Sequence, residues 1–234
     1  MPTLLYIAPH PDDECDNGGG LLAMRVSEGY NVYVVYMTDG RLGSPKPEER
    51  GEELARRRIM EAEEALKVLG IPTNHAFFLN YPDGELSSHI DEAVPRIINI
   101  ISRIKPDEVV HPSVFEVHMD HWAAGVITIR ALKELGIKVK EYSYLNYEPN
   151  LERFRRNRRL DVLLKLILYR LVKDRSRVIT FNISQYRQVK HECMRKHESQ
   201  YRYLSKEYID KYFNTDYESY FIESEQLHLH TYFT

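Results

Sequence analysis

Cysteine is almost absent from this 234-residue chain. Cys15 and Cys193 are the only two, too few for a disulfide framework and without zinc-finger spacing, so the expected setting is a reducing cytoplasm. No apolar run approaches the roughly 18 residues of a membrane span. The opening MPTLLYIAPH has no basic region ahead of an apolar one, and no signal peptide is expected. An excess of either charge is also missing. The net charge is −3 and the pI about 6.4, which gives the whole chain no pull toward nucleic acid or an anionic membrane. Repeats and low-complexity stretches are absent. The glycine run DNGGG (16–20) lacks the G-x-G-x-x-G spacing of a dinucleotide site and follows an acidic loop hostile to phosphate.

What is present suits one α/β domain. Hydrophobic residues make up 43% of the chain, enough for a sizeable core, and 17 tyrosines suit interfaces and sugar clefts. TLLYIA (3–8), NVYVVYMT (31–38), HAFFLNY (75–81), DEVVHP (107–112), EYSYLNYE (141–148) and RVITFNI (177–183) read as strands. The earliest are apolar almost throughout, as in parallel sheets covered on both faces. Between them lie helical stretches at 19–29, 47–69, 90–104 and 122–135, with Gly29, Gly70 and Gly136 closing three of them. Strand alternating with helix predicts a Rossmann-like, mostly parallel sheet with helices on both faces. The segment 151–177 stands apart, with ten Lys/Arg against three acids around the apolar stretch 160–172. It reads as a helix packed on the body or on a neighbouring subunit, or else as a lid or membrane-surface helix.

Ligands of parallel α/β sheets bind outside the carboxyl ends of the strands. YIAPHPDDECDNGG (6–19) puts His10, Asp12, Asp13 and Glu14 at the end of the first strand. Adjacent carboxylates repel, and a divalent ion removes the repulsion. His10 and Asp13, two residues apart in a tight loop, can converge on one ion. EVHMDHW (116–122) follows the fourth strand and offers His118 and His121 with Asp120 between them. His10, Asp13 and one of these two histidines would make a three-ligand site with a position open to water, which is the catalytic type of zinc site.

APHPDDE together with HMDH resembles the PIG-L/LmbE family of zinc-dependent N-acetylglucosaminyl deacetylases. TDGRLG (38–43), RRIMEAEEALKVLG (57–70), NYPDGEL (80–86) and KHECMRKHESQ (190–200) extend the likeness over most of residues 4–200. Glu116 stands where many members have Asp, and 151–177 has no counterpart. The resemblance implies one LmbE-like deacetylase domain over 1–234 with a basic helical insertion around 151–177. It implies His10, Asp13 and His121 as metal ligands and zinc as the metal, although a His₂Asp set also suits Fe²⁺ or another divalent ion. It implies a small amino-sugar substrate, with no nucleic-acid partner, and a homo-oligomer such as a trimer or hexamer.

Chemistry fills in the roles. Asp12 diverges from Asp13 along the chain and is placed to take a proton from the metal's water. Protonated His118 would stabilise the oxyanion and hand a proton to the departing amine, with Asp120 holding and charging its ring. Arg58 reaches substrate or pairs with Glu61 on its own helix. Asp83 binds sugar hydroxyls or only shapes a Pro-Asp-Gly turn. The resemblance implies that His197 lies near the substrate, whereas a lone helical histidine is otherwise structural. Glu14 supports the site or merely opens the next turn, His111 is structural or supports the site from behind, and Cys15 reads as a small buried side chain. The expected activity is removal of acetyl from an N-acetylglucosamine-containing substrate. Alternatives are hydrolysis of another amide, in an antibiotic or a lipid-linked sugar, and a non-catalytic metal- or sugar-binding protein.

Overall fold

A strand apolar at nearly every position is stable only where both its faces are covered. The computed structural model describes residues 1–147, 160–173 and 178–222. Its strands are β1 (Thr3–Ala8), β2 (Asn31–Thr38), β3 (Ala76–Tyr81), β4 (Glu108–Pro112), β5 (Lys140–Tyr144), β6 (Val178–Asn182) and β7 (Tyr217–Ile222). Its α-helices are α1 (Asp13–Ser27), α2 (Glu52–Leu69), α3 (Ile90–Ile104), α4 (Met119–Leu135), α5 (Leu160–Lys173), α6 (Arg187–Lys196), α7 (Glu198–Tyr201) and α8 (Lys206–Tyr212). The strands form one sheet of order β3-β2-β1-β4-β5-β7-β6, with every residue of β1 buried.

Strands β3, β2, β1, β4 and β5 run parallel. β7 is antiparallel to both β5 and β6. The expected mostly parallel α/β sheet is therefore observed. Leu4, Tyr6 and Ala8 face a core that includes Leu21 and Leu22 of α1 and Ala62 and Leu66 of α2. Leu5 and Ile7 face the opposite core with Ile97 and Ile101 of α3 and Ala123 and Ile127 of α4. Fully burying each such aliphatic side chain contributes about 1.5–3 kcal/mol. The chain proceeds outward in one direction from β1 through β2 to β3, then in the other from β4 to β5. That reversal places a crevice between the carboxyl ends of β1 and β4.

Several elements differ from the sequence-based expectation: the helix expected at 47–69 begins only at Glu52, after a separate 3-10 turn at Pro47–Glu49, and the strand expected at 141–148 ends at Tyr144. α1 starts at Asp13, six residues before the expected Gly19, so Asp13, Glu14 and Asp16 form its first turn rather than a loop. Carboxylates are favoured there by the helix dipole, which periodicity of apolar residues does not report. α4 likewise begins at Met119, three residues before Trp122. The strand β7 was not expected at all, and it alternates exposed and buried residues as an antiparallel strand near a sheet edge does. Of the basic segment, residues 160–173 form α5, while 151–159 and 174–177 lie outside the described residues. No described helix is long and apolar enough to cross a membrane.

The glycine run has a packing explanation. A Cβ at Gly18 would lie 2.4 Å from the Tyr6 ring, and one at Gly20 would lie 2.5 Å from Ile183. The run lets α1 press against the sheet and the chain beyond it. Gly125 does the same for α4, where a Cβ would sit 2.4 Å from the Pro112 carbonyl oxygen at the end of β4. Backbone cannot move aside as a side chain can. Gly125→Ala should therefore lower stability by about 1–3 kcal/mol, read as a lower urea midpoint with an unchanged slope.

Candidate metal centre and pocket

The end of β1 is held in an unusual shape. Asp12 has φ 149° and ψ −24°, a region that side-chain-bearing residues seldom occupy and that costs about 1–3 kcal/mol. Arg58 of α2, only 2% exposed, keeps it there. Its guanidinium donates to the Pro11 carbonyl at 2.7 and 3.2 Å and to the Gly40 carbonyl at 2.9 Å. It also pairs with Asp12 Oδ1 at 2.8 Å. The Asp12 amide donates to Glu14 Oε2 at 3.1 Å.

His10, Asp13 and His121 meet beside this turn. His10 Nδ1 lies 3.2 Å from Asp13 Oδ2, and His121 Nε2 lies 3.4 Å from Asp13 Oδ1. A tetrahedral ion with ligand bonds of about 2.0 Å separates its ligand atoms by about 3.3 Å, so the spacing of this group fits a divalent ion. The far nitrogen of His121, Nδ1, is buried without a hydrogen bond and faces Glu116 Oε1 at 3.7 Å. A carboxylate on that side of a metal-binding imidazole fixes which nitrogen faces the ion.

The charges are mutually dependent. Burial pushes the Asp13 carboxyl up, but His121 and His10 outweigh it and hold it at about 2. Burial lowers His10, yet its contacts with Asp120, Asp13 and Asp83 raise it well above the ordinary imidazole value. Burial, reinforced by His10 and His121, brings His118 down to about 4. That direction favours the neutral ring, whereas the protonated ring was expected from sequence. A positive group beside it, whether imidazolium or metal, opposes its own charge.

Asp120 also differs from its expected part. Its Oδ2 lies 3.2 Å from His10 Nε2 and accepts the Gly84 amide at 2.7 Å, while Oδ1 accepts the Leu86 amide at 3.1 Å. Nδ1 of His118 is buried without a partner. Asp120 therefore secures the His10 ring and the 84–86 turn, and does not hold the His118 ring.

A cavity of about 300 Å³ opens over this group. His10, Asp12, Asp13, His118 and His121 all line it, as do Arg58 and Asp83. Arg58 does not pair with Glu61, which instead holds Arg57 at 2.8 Å and the Ser199 hydroxyl at 2.6 Å. Asp83 accepts the Leu42 amide at 2.9 Å and lies 3.3 Å from His10, so it shapes the wall and also faces the cavity. His197 is the exception. It is fully buried, is not part of the lining, and meets Glu14 Oε1 at 2.6 Å. The expectation that it contacts substrate fails because α6 and α7 carry it beneath Glu14. His111 is fully buried, 2.8 Å from the Pro112 carbonyl and 3.0 Å from Glu141, and is not part of the lining.

Sequence reasoning missed Asn146, Tyr147, Asp16 and Gln200 of the lining. Asn146 and Tyr147 follow β5, and the rule that sites gather at strand carboxyl ends could have found them. It also missed the meeting of the cysteines. Cys15 on α1 and Cys193 on α6 are joined as a disulfide with Cα atoms 5.7 Å apart.

The family pattern described as PIG-L: GlcNAc-PI de-N-acetylase matches residues 5–132, more than half of the sequence, and the chain belongs to this family. It is similar to the diacetylchitobiose deacetylase of Thermococcus kodakarensis, 33% identical over 140 residues that make up 58% of this chain and 51% of that one. It is also similar to the 1D-myo-inositol 2-acetamido-2-deoxy-alpha-D-glucopyranoside deacetylase of Streptomyces scabiei, 29% identical over 153 residues, 55% of this chain and 47% of the other. The chain spans about half the length of these curated relatives. In fold it is similar to the N,N'-diacetylchitobiose deacetylase of Pyrococcus horikoshii, with TM-score 0.66, 24% identity and coverage of 89% and 73%. A conserved protein of Thermus thermophilus superposes with TM-score 0.66, 22% identity and 97% coverage of both chains.

A metal ion must displace the proton that His10 holds, so affinity for Zn²⁺ should fall as pH is lowered, starting above pH 6.5. Titration calorimetry at pH 8 and pH 6 should differ by about a hundredfold for each proton displaced. His197→Ala strands the buried Glu14 charge and should cost about 3–5 kcal/mol in urea unfolding, with metal content per folded chain unchanged.

Proposed function

We propose that this protein is a zinc-dependent N-deacetylase acting on an N-acetylglucosamine-containing sugar, with a short chitooligosaccharide such as N,N'-diacetylchitobiose as its substrate. The observation that carries this reading is Asp12. It borders the metal group without belonging to it, keeps 22% of its side chain exposed, and is held in a strained turn by a buried arginine. A protein that merely bound metal would have no use for that arrangement.

His10, Asp13 and His121 would hold the ion. When bound, it would polarise the acetamide carbonyl and lower the pKa of the attacking water. Asp12 would take the proton from the attacking water. Burial raises the Asp12 carboxyl above the usual range despite the opposing pull of Arg58, which strengthens it as a base. His118 enters as a neutral ring and donates an N–H toward the oxyanion. The proton needed by the departing amine then comes from Asp12, so that acetamide and water become acetate and amine with no proton left over. Asp120 and Asp83 fix the His10 ring, and Asp83 also offers an acceptor to sugar hydroxyls. The reading takes residues 1–234 as one catalytic domain in the cytoplasm, assembled as a homo-oligomer, and light scattering tests the assembly.

Acetate release should be measured from N,N'-diacetylchitobiose and from N-acetylglucosamine. Asp12→Asn should reduce turnover by about 10²–10⁴ while metal stoichiometry stays that of the parent. Metal binding without acetate release from either sugar would overturn the substrate assignment and direct the search to antibiotic or lipid-linked amides.

A further inference from the structure

α5 carries apolar side chains on the wrong side. Its inner face is buried through Val162, Lys165, Leu166 and Tyr169. Its outer face exposes Leu160 by 78%, Leu164 by 51% and Ile167 by 49%. These three stand at i, i+4 and i+7, one stripe along the helix. A helix on a water-facing surface normally turns charge outward and keeps such a stripe for its core. The exposed Arg170 continues the stripe one turn beyond Ile167.

Charge is segregated to the same part of the chain. Residues 151–177 hold ten of the 32 basic residues but three of the 35 acidic ones. The remainder is left with 22 against 32, a net −10. Arg158 and Arg159 directly precede Leu160 in the sequence. A basic segment wrapped around an apolar helical stripe fits a surface that is negative outside and apolar within, which is an anionic lipid bilayer. Nucleic acid would use the charge but not the stripe. A twofold contact between copies through this face would set one basic segment against another.

We propose that α5 is an in-plane docking helix that seats the protein on an anionic bilayer. Fourteen residues extend about 21 Å, short of the roughly 30 Å hydrocarbon layer, so the helix lies along the surface. Its inner face rests on the 115–122 segment, which bears His118 and His121. Lys165 Nζ donates to the Glu116 carbonyl at 2.7 Å and lies 5.1 Å from the Trp122 ring centroid, and Tyr169 packs on Phe115 at 5.6 Å. Docking through the stripe would therefore hold the membrane one helix away from the segment bearing His118 and His121. This docking does not depend on the deacetylase reading.

The test is flotation of the full chain with vesicles of phosphatidylcholine alone and of phosphatidylcholine with phosphatidylglycerol at 3:1, at low and high salt. Binding to the anionic vesicles should exceed binding to the neutral ones at least tenfold and weaken at high salt. Leu164→Glu with Ile167→Glu should abolish it while the thermal transition and acetate release stay as in the parent, because both positions are exposed. Arg158→Glu with Arg159→Glu should weaken it separately. Absence of binding to the anionic vesicles would overturn the proposal, as would unimpaired binding of the Leu164/Ile167 variant. A parent oligomer that the Leu164/Ile167 variant splits in light scattering would also overturn it, by assigning the stripe to a contact between copies.

Discussion

Five carboxylates converge around the end of one buried strand, and the surrounding structure is arranged to make that tolerable. A buried, unpaired carboxylate is too costly to survive folding. Asp12 is met by Arg58, Asp13 by His10 and His121, Asp83 and Asp120 by His10, and Glu14 by His197. The cations come from α2, α4, the β1–α1 turn and the α6–α7 junction, so helices on both faces of the sheet are committed to one spot. Asp13, Asp83 and Asp120 are all held below the usual carboxylate range despite burial that pushes them up. Three imidazoles are also drawn together, their ring centres 5.1–5.2 Å apart. A group that must place so many ligands of both signs in contact is well suited to trade protons for a divalent ion.

The sheet makes this convergence possible. β1 and β4 are neighbours, yet the chain leaves them toward opposite edges of the sheet. Their outgoing turns have no crossover between them, and His10–Asp13 and Glu116–His121 face each other across the gap. Both turns lead into a helix, so Asp13 and His121 sit in first turns where backbone hydrogen bonding fixes their direction. Glu116 ties the second turn to the pocket wall by accepting the Asn146 amide and, at 2.9 Å, the Tyr147 amide.

Local signals were readable in the sequence, and distant pairings were not. Apolar runs gave away β1 to β4 because strands covered on both faces carry that pattern without interruption. The metal group was legible because acids and histidines cluster at the ends of two of those strands. β7 was hidden because its alternation is short and falls in a tyrosine-rich stretch without an apolar run. Its contribution is nonetheless specific, since Glu218 accepts the amides of Gly20 and Leu21 and pairs with the buried Lys190 at 2.8 Å. Arg58 could be assigned to a helix face but not to the Pro11 carbonyl 47 residues away. The Cys15–Cys193 bond spans 178 residues, and two lone cysteines carry no spacing pattern that would reveal it.

Those distant pairings divide the labour within the chain. The family-matched stretch, 5–132, supplies all three candidate metal ligands together with Asp12 and His118. Much of what braces α1 and Glu14 comes from beyond it. His197 neutralises Glu14, Cys193 bonds Cys15, and Lys190 with Glu218 grips α1 at its glycine run. Ser199 closes on Glu61, one helical turn beyond Arg58. Glu14 in turn takes the Asp12 amide, so the strained turn at the proposed base is coupled through one carboxylate to α6 and α7. The chemistry-bearing side chains, and the Arg58 that holds Asp12 in its costly conformation, lie within 5–132, whereas the bracing of α1 and of Glu14 behind that turn comes from the chain beyond.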